Sequence, residues 1–181
     1  MMEKLLALLN EHYQAIRMIG ALVVALWAFK KWSVSQHQKE LELLHGLINE
    51  IRTSEVRDFI SRCDYEEAWY SKQFHNGPDE KKVDYVLTVF SNLCYMLRYR
   101  FISKRLFAFF EYDLELLFSD SQVVDYLYNL FHDSNKRGMS FPYRHLLDYA
   151  FRKGLVKISR SDFEDRTYCK RSEKVHDYLG L

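Results

Sequence analysis

The sequence predicts an all-α protein in which an N-terminal transmembrane helix precedes a helical bundle. Gly (6) and Pro (2) are scarce among the 181 residues, which disfavours the many tight turns of a sheet protein. Hydrophobic residues make up 48% of the chain, enough for a packed core. They recur at spacings of three and four and nowhere alternate with polar residues over a long stretch, a pattern typical of helices.

Charge and cysteine content exclude several kinds of site. Lys and Arg (26) nearly balance Asp and Glu (25), for a net charge of +1, so any contact with RNA has to be local. The three cysteines, Cys63, Cys94 and Cys169, are far apart and form no C-x-x-C pair. This spacing predicts free thiols rather than a disulfide framework or a zinc site. We therefore expect no metal and no cofactor.

The first element, residues 1–32, is predicted to cross a membrane. Residues 18–29 carry no charge, and apolar side chains continue upstream to Leu5 with no intervening proline, which together reach the roughly 20 residues that span a bilayer. The end of this element combines aromatic rings with positive charges at Trp27, Lys30, Lys31 and Trp32. Such an interfacial belt predicts a single pass with residues 33–181 in the cytoplasm. A cleaved signal peptide is the alternative, but it would carry its basic residues before the apolar run.

Four polar residues of this helix, Glu3, Asn10, Gln14 and Arg17, fall on one face. Positions 3, 7, 10, 14, 17 and 21 follow alternating spacings of four and three, which aligns them along a helix. Polar side chains at membrane depth usually face a bundle interior or a water-filled cavity. We therefore predict that several copies form a ring and that Asn10, Gln14 and Arg17 line its pore. In the alternative, residues 1–14 lie along the membrane surface as an amphipathic foot.

The cytosolic part, residues 33–181, is predicted to be a helical bundle. Apolar spacing predicts helices over residues 41–51, 56–63, 83–97, 101–118 and 123–131, with a break at 119–121 and a polar loop at 133–138. Asn76-Gly77-Pro78-Asp79 predicts a turn, with Asp79 as the cap of the next helix. Ser140 is expected to cap a helix that Gly154 closes. A short final helix is expected around residues 171–178.

The motif R-x4-H, formed by Arg171 and His176, is the one candidate for catalytic chemistry. An arginine can hold a phosphate with two hydrogen bonds, while a histidine acts as general acid or base near neutral pH. Such a pair suits RNA cleavage without a metal. In the alternative, both are ordinary surface residues, because a spacing this simple also arises by chance.

An R-x4-H motif near the C-terminus of a small helical domain resembles the HEPN type of domain (higher eukaryotes and prokaryotes nucleotide-binding). Together with the N-terminal membrane helix at residues 18–32, the chain resembles the membrane-anchored accessory proteins of type VI-B CRISPR systems. The resemblance implies a HEPN-like cytosolic domain and a ring-shaped homo-oligomer in the bacterial inner membrane. It further implies a pore that depolarises or permeabilises the membrane in antiphage defence, beside an RNA-guided RNA-cleaving effector, with RNA as a further partner.

Ser172 departs from the family pattern, because many catalytic HEPN motifs carry Asn, Asp or His directly after the arginine. Enzymatic activity is therefore left open. Three hypotheses remain: a membrane pore that assists CRISPR immunity, which we favour, a membrane-tethered HEPN ribonuclease, and a membrane-bound sensor that binds a nucleotide or a partner protein.

Overall fold

The computed structural model describes residues 2–65 and 68–180, and of residues 2–12 and 14–16 it describes the backbone alone. The described residues form helices and no strand, which confirms the predicted all-α class. The chain divides into two compact units, Met1–Leu43 and Leu44–Leu181.

Helix α1 covers Met2–Ile51. The sequence predicted two helices here, over residues 1–32 and 41–51, but the charged stretch between them does not interrupt α1. No proline occurs in it, and Gly46, its last glycine, is tolerated within a helix at a modest cost. At 1.5 Å per residue, α1 is about 75 Å long. Its final turns contribute Leu44, Leu47 and Ile51 to the core of the second unit.

The second unit is a bundle of short helices around one longer helix. The bounds are α2 Ser54–Asp64, α3 Pro78–Arg98, α4 Lys104–Phe107, α5 Glu111–Ser119, α6 Ser121–Lys136, α7 Arg144–Lys153 and α8 Arg160–Glu164, with 3₁₀ turns at Ala108–Phe110 and Tyr168–Lys170. Helix α3 packs along α7, and its Leu87 and Phe90 are fully buried. The long apolar side of α3 therefore forms the centre of the core.

Several predicted helix ends are confirmed. Asp120 separates α5 from α6 and caps α6 by accepting a hydrogen bond from the Gln122 amide at 2.8 Å. Gly154 closes α7 in the left-handed conformation (φ 71°), as glycine commonly does after a helix.

Other predicted bounds are wrong for local reasons. Asp79 is not the cap of α3, because Pro78 takes the first helical position and Gly77 precedes it. The helix predicted over residues 101–118 is interrupted by a 3₁₀ turn, and α4 begins only where Ser103 caps it. Helix α6 continues to Lys136, through most of the predicted loop, while α7 begins at Arg144, after Pro142.

The predicted final helix around residues 171–178 is also wrong. Residues 171–180, all of which the structure describes, contain no helix. The backbone of this stretch instead makes hydrogen bonds with side chains of α6, so tertiary contacts replace the local ones that a helix would provide.

The three cysteines are free thiols in different surroundings. Cys63 and Cys94 are buried, whereas Cys169 is partly exposed. Burial raises the pKa of Cys94 to about 12, and burial, followed by the charge of nearby Asp120, also raises the pKa of Cys63. The two buried thiols are therefore protonated and unreactive at neutral pH.

Candidate functional site

Residues 17–34 of α1 expose apolar side chains on every side of the helix. Among the residues whose side chains are described, one helical segment, Arg17–Ile51, is long and apolar enough to cross a membrane, and none of its most apolar stretch is buried. Leu22, Trp27 and Phe29 each expose 60% or more of their surface. A core helix of a soluble protein buries at least one face, and this stretch buries none. Length and composition alone do not separate a membrane span from a signal sequence.

The four residues of the predicted interfacial belt are all exposed. The Lys31 ammonium lies 4.8 Å from the centre of the Trp27 ring, a cation–π contact. The rings of Phe29 and Trp32 are 5.9 Å apart. Aromatic rings beside positive charges are typical of the membrane–water boundary, where such side chains contact lipid headgroups.

Of the three predicted pore-lining residues, the structure describes the side chain of one. Arg17 is exposed, and its guanidinium carbon lies 5.5 Å from the centre of the Tyr13 ring. Asn10 and Gln14 belong to α1, but their side chains lie outside the described part of the chain. The polar face of α1 therefore stays a prediction from the sequence.

Arg171, the first residue of the R-x4-H motif, is bound by two carboxylates. Its guanidinium lies 2.6 Å from Asp165 Oδ2 and 3.6 Å from Asp162 Oδ1. The same group lies over the Tyr168 ring at 5.5 Å. Its charge is thus paired within the domain, and a phosphate would have to compete with two acids for the guanidinium.

His176, the second residue of the motif, is held by a buried acid. Its Nδ1 donates to Asp125 Oδ2 at 2.9 Å, and its amide donates to Asp125 Oδ1 at 3.0 Å. Asp125 is 3% exposed, and burial raises its pKa although the bonds from His176 oppose that rise. The imidazole is stacked on the Tyr178 ring and is 58% exposed. A carboxylate on Nδ1 leaves Nε2 as the acceptor, the arrangement of a general base.

A cavity of about 390 Å³ lies beside His176. Its cations are Lys72 and Lys170, and Cys169 and Ser172 also line it. Glu173 and Asp177 line it as well. Among the described residues, Arg171 does not line it. The structure therefore brings His176 together with two lysines and two acids, and gives Arg171 different partners.

Asn129 attaches the end of the chain to α6. We call residues 175–179 the C-terminal segment. Asn129 is fully buried, and its amide nitrogen donates to the His176 carbonyl at 2.7 Å. Its side-chain oxygen accepts from the amides of Tyr178 at 2.9 Å and Leu179 at 3.2 Å. One side chain thus satisfies three backbone groups of the C-terminal segment.

Sequence reasoning missed Asp125 and Asn129. The two polar residues are four positions apart on α6, and both are buried. A polar pair at that spacing on an otherwise apolar face is a signal that could have identified them, because buried polar side chains need defined partners.

A second polar cluster, in which a half-buried acid binds two buried tyrosines, joins α3 to α6 and to the start of α7. Asp84 Oδ1 accepts hydrogen bonds from the hydroxyls of Tyr126 at 2.6 Å and Tyr143 at 2.7 Å. Burial, and next the hydrogen bond to Asp84, raises the pKa of both tyrosines. Both hydroxyls therefore remain donors at neutral pH, and the cluster contributes to stability rather than to proton transfer.

Comparisons with protein-family models, with curated proteins and with solved structures found no match. The resemblance to the type VI-B accessory proteins therefore rests on residues 18–32, Arg171 and His176. The described residues contain no group of His, Cys, Asp and Glu side chains placed to hold a metal ion.

Proposed function

We propose that the protein is a single-pass bacterial inner-membrane protein whose copies assemble through α1 into a ring-shaped pore. In this proposal the pore depolarises or permeabilises the membrane and so assists RNA-targeting CRISPR defence against phage. The observation that carries the membrane part is the fully exposed apolar stretch of α1. The link to CRISPR follows the resemblance on residues 18–32, Arg171 and His176.

Lipid is the medium that suits the exposed surface of α1. Transfer of a large apolar side chain out of water contributes about 1.5–3 kcal/mol, and residues such as Leu22, Trp27 and Phe29 have no cover within the described chain. Lys30 and Lys31 follow this stretch, so the positive-inside rule puts the helical domain on the cytoplasmic side.

A ring of helices explains how Arg17, the positive charge that precedes the apolar stretch, can lie within the membrane. An arginine facing lipid near the bilayer centre costs about 2.5–3.5 kcal/mol, whereas Arg17 facing a water-filled lumen keeps its hydration. One helix per copy cannot enclose a lumen, so the proposal requires several copies around the axis. The predicted position of Asn10 and Gln14 on the same face as Arg17 supports this arrangement.

Dye release from liposomes tests the pore. We expect vesicles that contain the full-length protein to release a trapped dye, and we expect the double substitution Gln14→Leu and Arg17→Leu to reduce release to the level of protein-free vesicles. The reason is that leucines would make the lumen apolar, and an apolar constriction excludes water and ions. Lys39→Leu is the matched control, because it removes a positive charge from the same helix outside the apolar stretch.

Two results would contradict the pore: vesicles that stay tight with the wild-type protein, or equal release from the double variant. The mass of the detergent-extracted complex gives an independent check, because a monomer or dimer cannot form the ring. The intact mass of the membrane-extracted chain distinguishes an anchor from a cleaved signal peptide.

The pairing of His176 with Asp125 favours a second candidate, a membrane-tethered HEPN ribonuclease. In that candidate His176 Nε2 would take the proton of an RNA 2′-hydroxyl. Arg171 would have to leave Asp162 and Asp165 to bind the phosphate, and it does not line the cavity beside His176 in the described structure. His176 is thus placed to act as a base, but Arg171, which would bind the phosphate in this motif, is not placed beside it.

We expect the purified full-length protein not to cleave labelled single-stranded RNA in the presence of a chelator, because Arg171 is engaged by two carboxylates. The measurement is gel separation of the products over several hours. Cleavage that is lost on both His176→Ala and Arg171→Ala would instead establish the ribonuclease. Cleavage that neither substitution changes would point to a contaminating enzyme.

A further inference from the structure

Residues 85–110 contain no Asp or Glu, although acids account for 25 of the 181 residues. The stretch covers most of α3 and continues into α4. It carries four cations, Arg98, Arg100, Lys104 and Arg105, all of them exposed. Within the second unit, this is the longest stretch of sequence in which positive charge is not balanced by acids.

Exposed aromatic rings lie among these cations. Tyr95, Tyr99 and Phe101 expose 40%, 54% and 52% of their surface. The ring of Tyr95 lies 4.6 Å from that of Tyr99 and is stacked with that of Phe101 at 6.1 Å. The His145 ring of α7 completes the group at 5.1 Å from Tyr95. Several rings that touch one another and still face solvent are unusual on the surface of a packed domain.

An arginine-lined cavity adjoins the same end of α3. It has a volume of about 610 Å³ and is lined by Arg98, Arg152, Arg160 and Ser159, with Asp148 as its acid. Asp148 holds Arg98 and Arg160 at 2.9 Å each. Glu164 also binds Arg160, at 2.8 Å. Three guanidinium groups thus meet two carboxylates, which leaves one positive charge in excess. The volume is within the usual range for a small-ligand site.

Arg100 has a backbone conformation that is unfavourable for a residue other than glycine. Its φ of 61° lies in the left-handed region, which glycine normally occupies after a helix end because other residues are strained there. Its backbone closes the end of α3 with a hydrogen bond from its amide to the Leu97 carbonyl at 3.2 Å. Its side chain makes no ion pair with any described residue. A glycine would be less strained at this position, and the exposed Arg100 side chain is accessible to a ligand from solvent.

We propose that this basic–aromatic face, made of Tyr95, Arg98, Tyr99, Arg100, Phe101 and Arg152, binds single-stranded nucleic acid. Unpaired bases stack on exposed aromatic rings, and the phosphates between them bind arginines, which offer paired donors to phosphate oxygens. A duplex hides its bases from the rings, so a single strand is the form that uses both parts of the face. The proposal does not rest on the pore, because it concerns different residues and a different ligand.

An anionic lipid surface would also attract the cations, but it makes less use of this face. Anionic headgroups attract lysine and arginine alike, because the attraction depends mainly on charge. All the cations of the basic–aromatic face are arginines, which can also form paired hydrogen bonds to a phosphate. A concave site beside a group of rings matches a phosphate next to a stacked base better than a flat membrane.

Fluorescence anisotropy tests the proposal with the full-length protein in neutral detergent and a labelled oligouridine of about 20 nucleotides. We expect a Kd of about 10 μM or tighter at about 50 mM salt, with affinity falling as salt rises. Tyr99→Ala should weaken binding at least about fivefold, whereas Tyr99→Phe should stay within about twofold, because the ring and not the hydroxyl stacks on the base.

Arg100→Gly separates binding from folding. It removes one cation and also relieves the left-handed strain, so we expect binding to weaken about three- to tenfold while the melting temperature stays the same or rises. Arg57→Gln is the matched control, because it removes one exposed arginine from α2. We expect it to bind within about twofold of the wild type.

Three results would overturn the proposal. The first is no binding of the oligouridine at low salt by a folded protein. The second is equal affinity for a duplex of the same length, and the third is binding that neither Tyr99→Ala nor Arg100→Gly weakens. Binding to anionic vesicles without binding to the oligouridine would assign the face to lipid instead. We expect Tyr99→Ala to leave dye release from liposomes unchanged. Nucleic-acid binding and pore formation are therefore tested independently, and the failure of one proposal would not affect the other.

Discussion

Replacing Asn129 with leucine is expected to lower the free energy of unfolding by about 3 kcal/mol or more. Leucine has the same branched four-atom side chain as asparagine, with methyl groups in place of the amide oxygen and nitrogen, so no cavity results. The loss comes from the C-terminal segment, in which the His176 carbonyl and the Tyr178 amide would lose the Asn129 side chain as their partner. The Leu179 amide would keep only its bond to Asp177 Oδ1 at 3.1 Å. Each buried backbone group left without a partner costs about 1–3 kcal/mol.

Urea unfolding of the full-length protein in detergent, followed by circular dichroism, measures this loss. Hydrogen exchange adds a local readout, because the amides of Tyr178 and Leu179 should exchange faster before the domain unfolds. Asn135→Leu is the matched control: it makes the same substitution at an exposed position of α6. A midpoint for Asn129→Leu that matches that of Asn135→Leu would show that the C-terminal segment does not depend on this side chain.

Replacing Asp84 with alanine is expected to cost about 2–4 kcal/mol of stability. The carboxylate accepts two hydrogen bonds from tyrosines that are 0% and 4% exposed, Tyr126 and Tyr143. Without Asp84 both hydroxyls would be left with weaker acceptors or none. Asp84→Asn should cost clearly less, because the amide oxygen still accepts.

A double-mutant cycle tests whether the loss comes from these two bonds. In a background that carries Tyr126→Phe and Tyr143→Phe, Asp84→Ala should lower the free energy of unfolding by less than about 1 kcal/mol. Neither phenylalanine has a hydroxyl that could lose its hydrogen-bond acceptor. Thermal unfolding of the four variants provides the numbers. Equal costs in both backgrounds would mean that Asp84 stabilises the domain by other contacts.

The sequence predicts the long helices well where a local pattern decides the structure. The apolar stretch of α1, the central helix α3 and the closing glycine at position 154 each carry a strong local signal. Helix ends are predicted less well, since Pro78 displaces Asp79 from the cap of α3 by occupying the first helical position. The left-handed Arg100 is not visible in the apolar spacing that follows it.

The candidate sites are harder to predict from the sequence than the helices are. The sequence identifies Arg171 and His176 as a pair by their spacing, but their partners Asp165 and Asp125 come from different elements and hold them separately. Most of the basic–aromatic face can be recognised in the sequence as part of an acid-free stretch. Arg152 joins the face only because α3 packs along α7, which brings Arg98 and Arg152 to the same cavity. Contacts between distant residues decide both sites, and a local pattern does not contain them.

The contrast among the three cysteines gives the protein a natural attachment point for probes. Maleimide dyes and spin labels react with thiolates that solvent can reach. Cys63 and Cys94 are buried and protonated, so Cys169 is the thiol that such reagents will modify first in the folded protein. It lines the same cavity as His176 and Tyr178. A dye at that position would report detachment of the C-terminal segment. In the proposed ring, spin labels on Cys169 of neighbouring copies would report the distance between subunits, without any engineered residue.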